Sequence, residues 1–151
     1  MTLDFLLSAL HFLLAFALAA ILAAQGALLR PGLSAQSLSA AANLDRLYGA
    51  AAGLLLVAGF GRVFYGAKGS QFYLDNPVFW AKIACFAAVA VFSIPPTVRL
   101  VRWSRQARRQ AGFLPADGEV LGTRRWLLAQ AVVFAFIPVL GAAMARAYGI
   151  R

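Results

Sequence analysis

The chain has 151 residues, 62% hydrophobic and 13% charged, with 14 Lys and Arg against 5 Asp and Glu, a net charge of +9 and a mean hydropathy of +0.77. Soluble domains carry about 45–50% apolar and about 25% charged residues. The composition therefore excludes an ordinary soluble domain and implies an integral membrane protein, residues 1–151 forming one domain.

The first apolar run goes from Phe5 to Leu29 and ends at Arg30-Pro31-Gly32. It lacks a preceding basic segment and is longer than a signal-peptide core, so it reads as a retained span. The polar, Ala-rich stretch LSAQSLSAAANLDR reads as a short surface helix or loop. A second span follows from about Leu47 to Tyr65, and a third from about Val78 to Val98 with Pro77 near its start. The segment RLVRWSRQARRQAGFLPADGEVLGTRR is the longest polar loop and begins as a helical continuation of the third span. A fourth span covers about Trp126 to Ala147. Each is near the ~20 residues needed to cross a bilayer, which predicts an all-α four-transmembrane-helix bundle.

Loops one and three share a side and hold Arg30, Arg46, Arg99, Arg102, Arg105, Arg108, Arg109, Arg124 and Arg125. The other side holds Arg62, Lys68, Arg146 and Arg151. The bias places loops one and three in the cytoplasm and both termini outside. Arg99, Arg102, Arg105, Arg108 and Arg109 recur at helical spacing, which suits anionic lipids rather than nucleic acid, with Trp103 at the level of an interface anchor. Ala15, Ala19 and Ala23, the pair Gly49 and Gly53, and the pair Gly141 and Ala145 are small-residue faces expected to pack the bundle. Pro138 and Pro95-Pro96 should kink or break their helices.

The polar residues inside the spans concentrate at one depth. His11 lies ~9 Å and Lys82 ~6 Å from the outer edge, at ~1.5 Å per residue. Arg62 and Arg146 lie near the outer ends of the second and fourth spans, and Tyr65 adds a hydroxyl one turn from Arg62. The inner half offers Gln25 and Gln130 but no comparable cluster. Like charges at one depth repel unless an anion joins them, and only Asp4 and Asp75 are near. A carboxylate-bearing porphyrin or a lipid phosphate would satisfy them. The rival reading is that Lys82 snorkels to the interface, Arg62 and Arg146 are anchors and His11 bonds a neighbouring helix. His11 is a candidate axial ligand for haem iron, with Lys82, Arg62, Tyr65 and Arg146 as the remaining cofactor-binding candidates. Met144 is the one further span donor near that depth. Single His11 and Cys85 exclude a His-rich metal cage and an internal disulfide within the chain.

The segments LHFLLAFALAA, LLRPGLS, LYGAAAGLLLVAGFGRVFYGAKG, YLDNPVFWAKIACF and SIPP resemble a bacterial family of predicted four-helix inner-membrane proteins, a domain of unknown function. More distantly, His11 with Trp80 and Lys82 is similar to the HemJ-type protoporphyrinogen oxidases, and the layout to CopD-type copper-resistance membrane domains. Ser93-Ile94-Pro95-Pro96 stands where the HemJ type carries Asn-Glu-x-Pro. The resemblance implies the bacterial inner (plasma) membrane, haem b, a functional His11 and Lys82, and an oxidoreductase or electron-transfer role with quinone. The alternatives are an accessory or assembly subunit of a larger membrane complex and a small metal or anion transporter, either of which could self-associate.

Overall fold

The computed structural model describes residues 2–66, 69–146 and 148, so the Lys68 and Arg151 counted above, and Ala147, lie outside the described residues. Four long helices dominate. They are α1 (Thr2–Leu28), α2 (Ala35–Tyr65), α4 (Pro77–Arg109) and α5 (Asp117–Ala145), with a short α3 (Gly69–Leu74) between the second and fourth. Each long helix is long and apolar enough to cross a membrane. Large side chains such as Phe16, Val57, Phe64 and Val139 stand on their outward faces. Apolar surface on that scale needs lipid against it. The chain is a four-helix membrane protein.

The helices run up and down in two hairpins, α1/α2 and α4/α5. The hairpins meet along α2–α4 and, more lightly, along α1–α5, so α1 faces α4 and α2 faces α5 across diagonals. One end of the bundle carries Asp4, Gly66, α3 and Asn76. The other carries the two connections and most of the arginines.

Local chemistry sets the helix limits. Ser34 caps α2, its hydroxyl accepting from the Ser37 amide at 3.1 Å. Asn76 caps α4, its carbonyl accepting from the Val78 amide at 2.9 Å, and Pro77 opens the helix without losing a needed donor. Asp117 and Glu119 sit in the first turn of α5, where acids are favoured. Asp117 also accepts from the Gly32 amide at 2.9 Å, tying α5 to the first hairpin's connection. That connection turns at Gly32, whose φ of 77° suits glycine.

Several boundaries differ from the sequence reading. The stretch before Leu47 is neither loop nor separate helix: α2 is continuous from Ala35, because no proline or glycine interrupts it before Gly49 and alanines favour the helix. The helix that carries the fourth span, α5, begins at Asp117, ahead of the apolar run from Trp126. The third span does continue, to Arg109, and the helix passes through Pro95-Pro96 without ending. Those prolines leave the Val91 and Phe92 carbonyls without their usual donors. Pro138 likewise lies inside α5.

The small-residue faces hold only in part: Ala15 packs against the core and Gly141 lies against Lys82 of α4. Ala19, Ala23, Gly49 and Gly53 are exposed rather than packed inside the bundle. The glycines that bring helices together are Gly59 and Gly61, against α1. A methyl group at Gly61 would lie 3.3 Å from Leu7 Cδ2, and one at Gly59 would lie 3.4 Å from His11 Cε1. Trp103, expected at the interface, is fully buried and belongs to the core cluster that also holds Leu38, Leu100 and Val120.

Gly61→Val should therefore lower the thermal unfolding midpoint in detergent, at a cost of about 1–3 kcal/mol for overpacking. Gly53→Val, with nothing within 4 Å of the added carbon, should leave it near that of the wild type.

Candidate functional site: two polar levels in the bundle

The α1–α2 pairing brings His11 to the bundle's interior. Gly59 has no side chain, so the imidazole lies directly on α2, turned toward the Leu55 carbonyl. His11 Nδ1 is buried and has no hydrogen-bond partner. One turn on along α2, Arg62 reaches back over α1, its guanidinium carbon 5.9 Å from the centroid of Phe12. That distance allows a cation–π contact. Arg62 Nε is also buried without a partner.

Lys82 enters from α4. A methyl group at Gly141 of α5 would lie 3.9 Å from Lys82 Nζ, so the ammonium lies against its hairpin partner, one turn from the end of α5. It lies within Coulombic range of Arg62, and both cations lie within Coulombic range of His11. The structure thus brings together His11, Arg62 and Lys82 from α1, α2 and α4. Neither Arg62 nor Lys82 has an ion-pair partner among the described residues.

The other sequence candidates stand apart. Tyr65 is 71% exposed at the end of α2. Arg146 is exposed and caps α5 through its backbone. Met144 packs against a separate cluster of Val63, Tyr73 and Phe79. Asp4 approaches Gly66, its Oδ1 3.2 Å from where a Cβ would be.

A second polar level, not expected, lies nearer the arginine-rich end. Asp45 Oδ1 accepts from Thr97 Oγ1 at 3.0 Å and from Gln25 Nε2 at 3.4 Å, joining α2, α4 and α1. Tyr48, one turn on, faces Gln130 of α5 across the diagonal. Gln25 and Gln130 are each 1% exposed. The sequence signal was available: Asp45, Tyr48 and Ala52 recur at helical spacing. It was lost because Asp45 was assigned to a connection. Beyond this level, Arg99 donates to Thr123 Oγ1 at 3.2 Å and Arg102 pairs with Glu119 at 2.7 Å. Two of the five periodic arginines thus turn toward α5 rather than outward.

Residues 3–149 match the family described as predicted membrane protein (DUF2214), and the chain belongs to that family. No curated protein and no solved structure matches the chain.

Thr97→Val keeps the shape of the side chain and removes its bond to Asp45. It should cost about 1 kcal/mol, read by denaturant titration in detergent. Ser93→Ala should cost less, since that hydroxyl bonds only the Ala90 carbonyl of its own helix.

Proposed function

We propose that this protein binds an amphipathic anion within the membrane, with Lys82 and Arg62 holding its carboxylate or phosphate and His11 contributing a hydrogen bond. The observation that carries the reading is the convergence of these three groups from three helices. Their charges oppose one another, and two of their polar atoms are buried without partners. Cations in a low-dielectric setting persist where an anion neutralises them or function retains them. The approach of Lys82 Nζ to Gly141 of α5 supports an ammonium held against the bundle.

A tetrapyrrole carrying propionates, such as haem b or its metal-free porphyrin, is one ligand of this class. Its carboxylates suit Lys82 and Arg62. Its iron suits the site less well. His11 Nδ1 is a partnerless nitrogen, but it and Cε1 lie against Gly59, so a macrocycle on that nitrogen would have to part α1 from α2. The reading therefore rests on the anionic groups and routes nothing through iron. The membrane would be the bacterial inner membrane, with the arginine-rich end in the cytoplasm by the excess of basic residues there.

Titration of the purified protein with protoporphyrin IX, followed by fluorescence, and with haemin, followed by visible absorption, tests it. Micromolar binding of both is expected, weakened roughly tenfold or more by Lys82→Ala, as befits a charge-assisted contact of about 1.5–3 kcal/mol. His11→Ala should weaken binding less. If neither porphyrin binds, the tetrapyrrole is excluded; if palmitate and lysophosphatidic acid also fail, so is the anion site. A colourless protein that co-purifies with a larger complex would then favour an accessory subunit.

A further inference from the structure

The α2–α4 seam is open along part of its length. Gly49 and Gly53 of α2 are exposed, and a Cβ added at either would meet nothing within 4 Å. A cavity of about 350 Å³ lies there, walled by α2 through Gly49, Gly53 and Leu56 and by α4 through Phe86 and Val89. Its surface is apolar until it reaches Asp45 and Thr97, which are bonded to each other. Past Asp45 the groove continues into two smaller cavities of about 200 Å³ each, also shared by α2 and α4. Arg46 and Arg108 edge both, and Arg105 edges one. These three arginines are exposed and form no ion pair among the described residues, unlike Arg102, which pairs with Glu119.

An apolar slot therefore opens sideways to the hydrocarbon and ends in a cationic mouth built from both helices. From Arg46 to Leu56 is ten residues, ~15 Å of helix at ~1.5 Å each. A phospholipid has that profile: a long apolar tail and, at one end, a phosphate that guanidinium groups bind in a planar fork. A second transmembrane helix would bring no anion to the mouth. We propose that the α2–α4 groove binds one anionic phospholipid, its phosphate against Arg46, Arg105 and Arg108 and one acyl chain over Gly49 and Gly53. This site is separate from the His11, Arg62 and Lys82 group and does not depend on it.

Native mass spectrometry of the full chain in detergent, with equimolar phosphatidylglycerol and phosphatidylcholine, tests the proposal. One phosphatidylglycerol should be retained per chain, at least tenfold over phosphatidylcholine. The double variant Arg46→Gln/Arg108→Gln should lower that retention on the order of tenfold, since each basic residue near an anionic headgroup contributes separately. Gly53→Leu keeps every arginine and fills the slot, and should also lower it. Arg125→Gln removes one exposed charge from α5 and should leave it unchanged. Equal retention of both lipids, or retention unaffected by Gly53→Leu, overturns the proposal. A lipid-free dimer that Gly53→Leu dissociates overturns it too, and gives the groove to a second copy.

Discussion

The close antiparallel approach of α1 and α2 is the constraint on which the rest depends. It holds one register along its length. Asp4 lies by Gly66, His11 by Gly59 and Gln25 by Asp45, with Leu7 against Gly61 between the first two, so the run from Asp4 through His11 to Gln25 is matched residue for residue by the run back from Gly66 through Gly59 to Asp45. In lipid no hydrophobic force pushes helices together, so close backbone approach and interhelical hydrogen bonds must hold them. Gly59 and Gly61 supply the first at one end, and Asp45 with Gln25 supplies the second at the other. A one-residue slip would rotate His11 off Gly59 and Gln25 off Asp45 together.

That register places polar chemistry at two levels with different character. Near the arginine-rich end, Asp45 is surrounded by donors, and the level reads as a structural tie among three helices. Near the other end, Lys82 and Arg62 are both cationic, and His11 Nδ1 and Arg62 Nε are buried without hydrogen-bond partners. The two levels differ in charge: the first gathers neutral donors about one carboxylate, whereas the second sets two cations beside an imidazole. The second hairpin contributes to both levels, through Thr97 at one and Lys82 at the other. Its looser contact with α2 leaves the groove between them.

Much of the fold was legible in the sequence. Four apolar runs separated by polar breaks specify four spans, since the bilayer leaves few alternatives to a helix. Depth in the sequence put His11, Arg62 and Lys82 at one level of the bundle. Depth did not reveal direction. It included Tyr65 and Arg146, which stand outside the group, and it sent Trp103 to an interface when it fills the core. The inner network was missed for a related reason. Hydropathy marks where a helix becomes greasy and not where it begins, so it leaves Asp45 in a short surface helix or loop, whereas α2 already runs from Ala35. One glycine face failed too: GxxxG spacing at Gly49 and Gly53 says that a close approach is allowed, and does not say what approaches.

Lys82 and Arg62 lie close enough in the bundle to repel each other. A double-mutant cycle tests it most directly. Wild type, Lys82→Met, Arg62→Met and the double variant would be unfolded in detergent free of added anions. If the two cations oppose each other, removing either relieves the same repulsion, so the two single changes should sum to more stabilisation than the double variant gains, with a coupling of at least about 0.5 kcal/mol. Additive effects would mean that the two charges never meet, and would contradict the account.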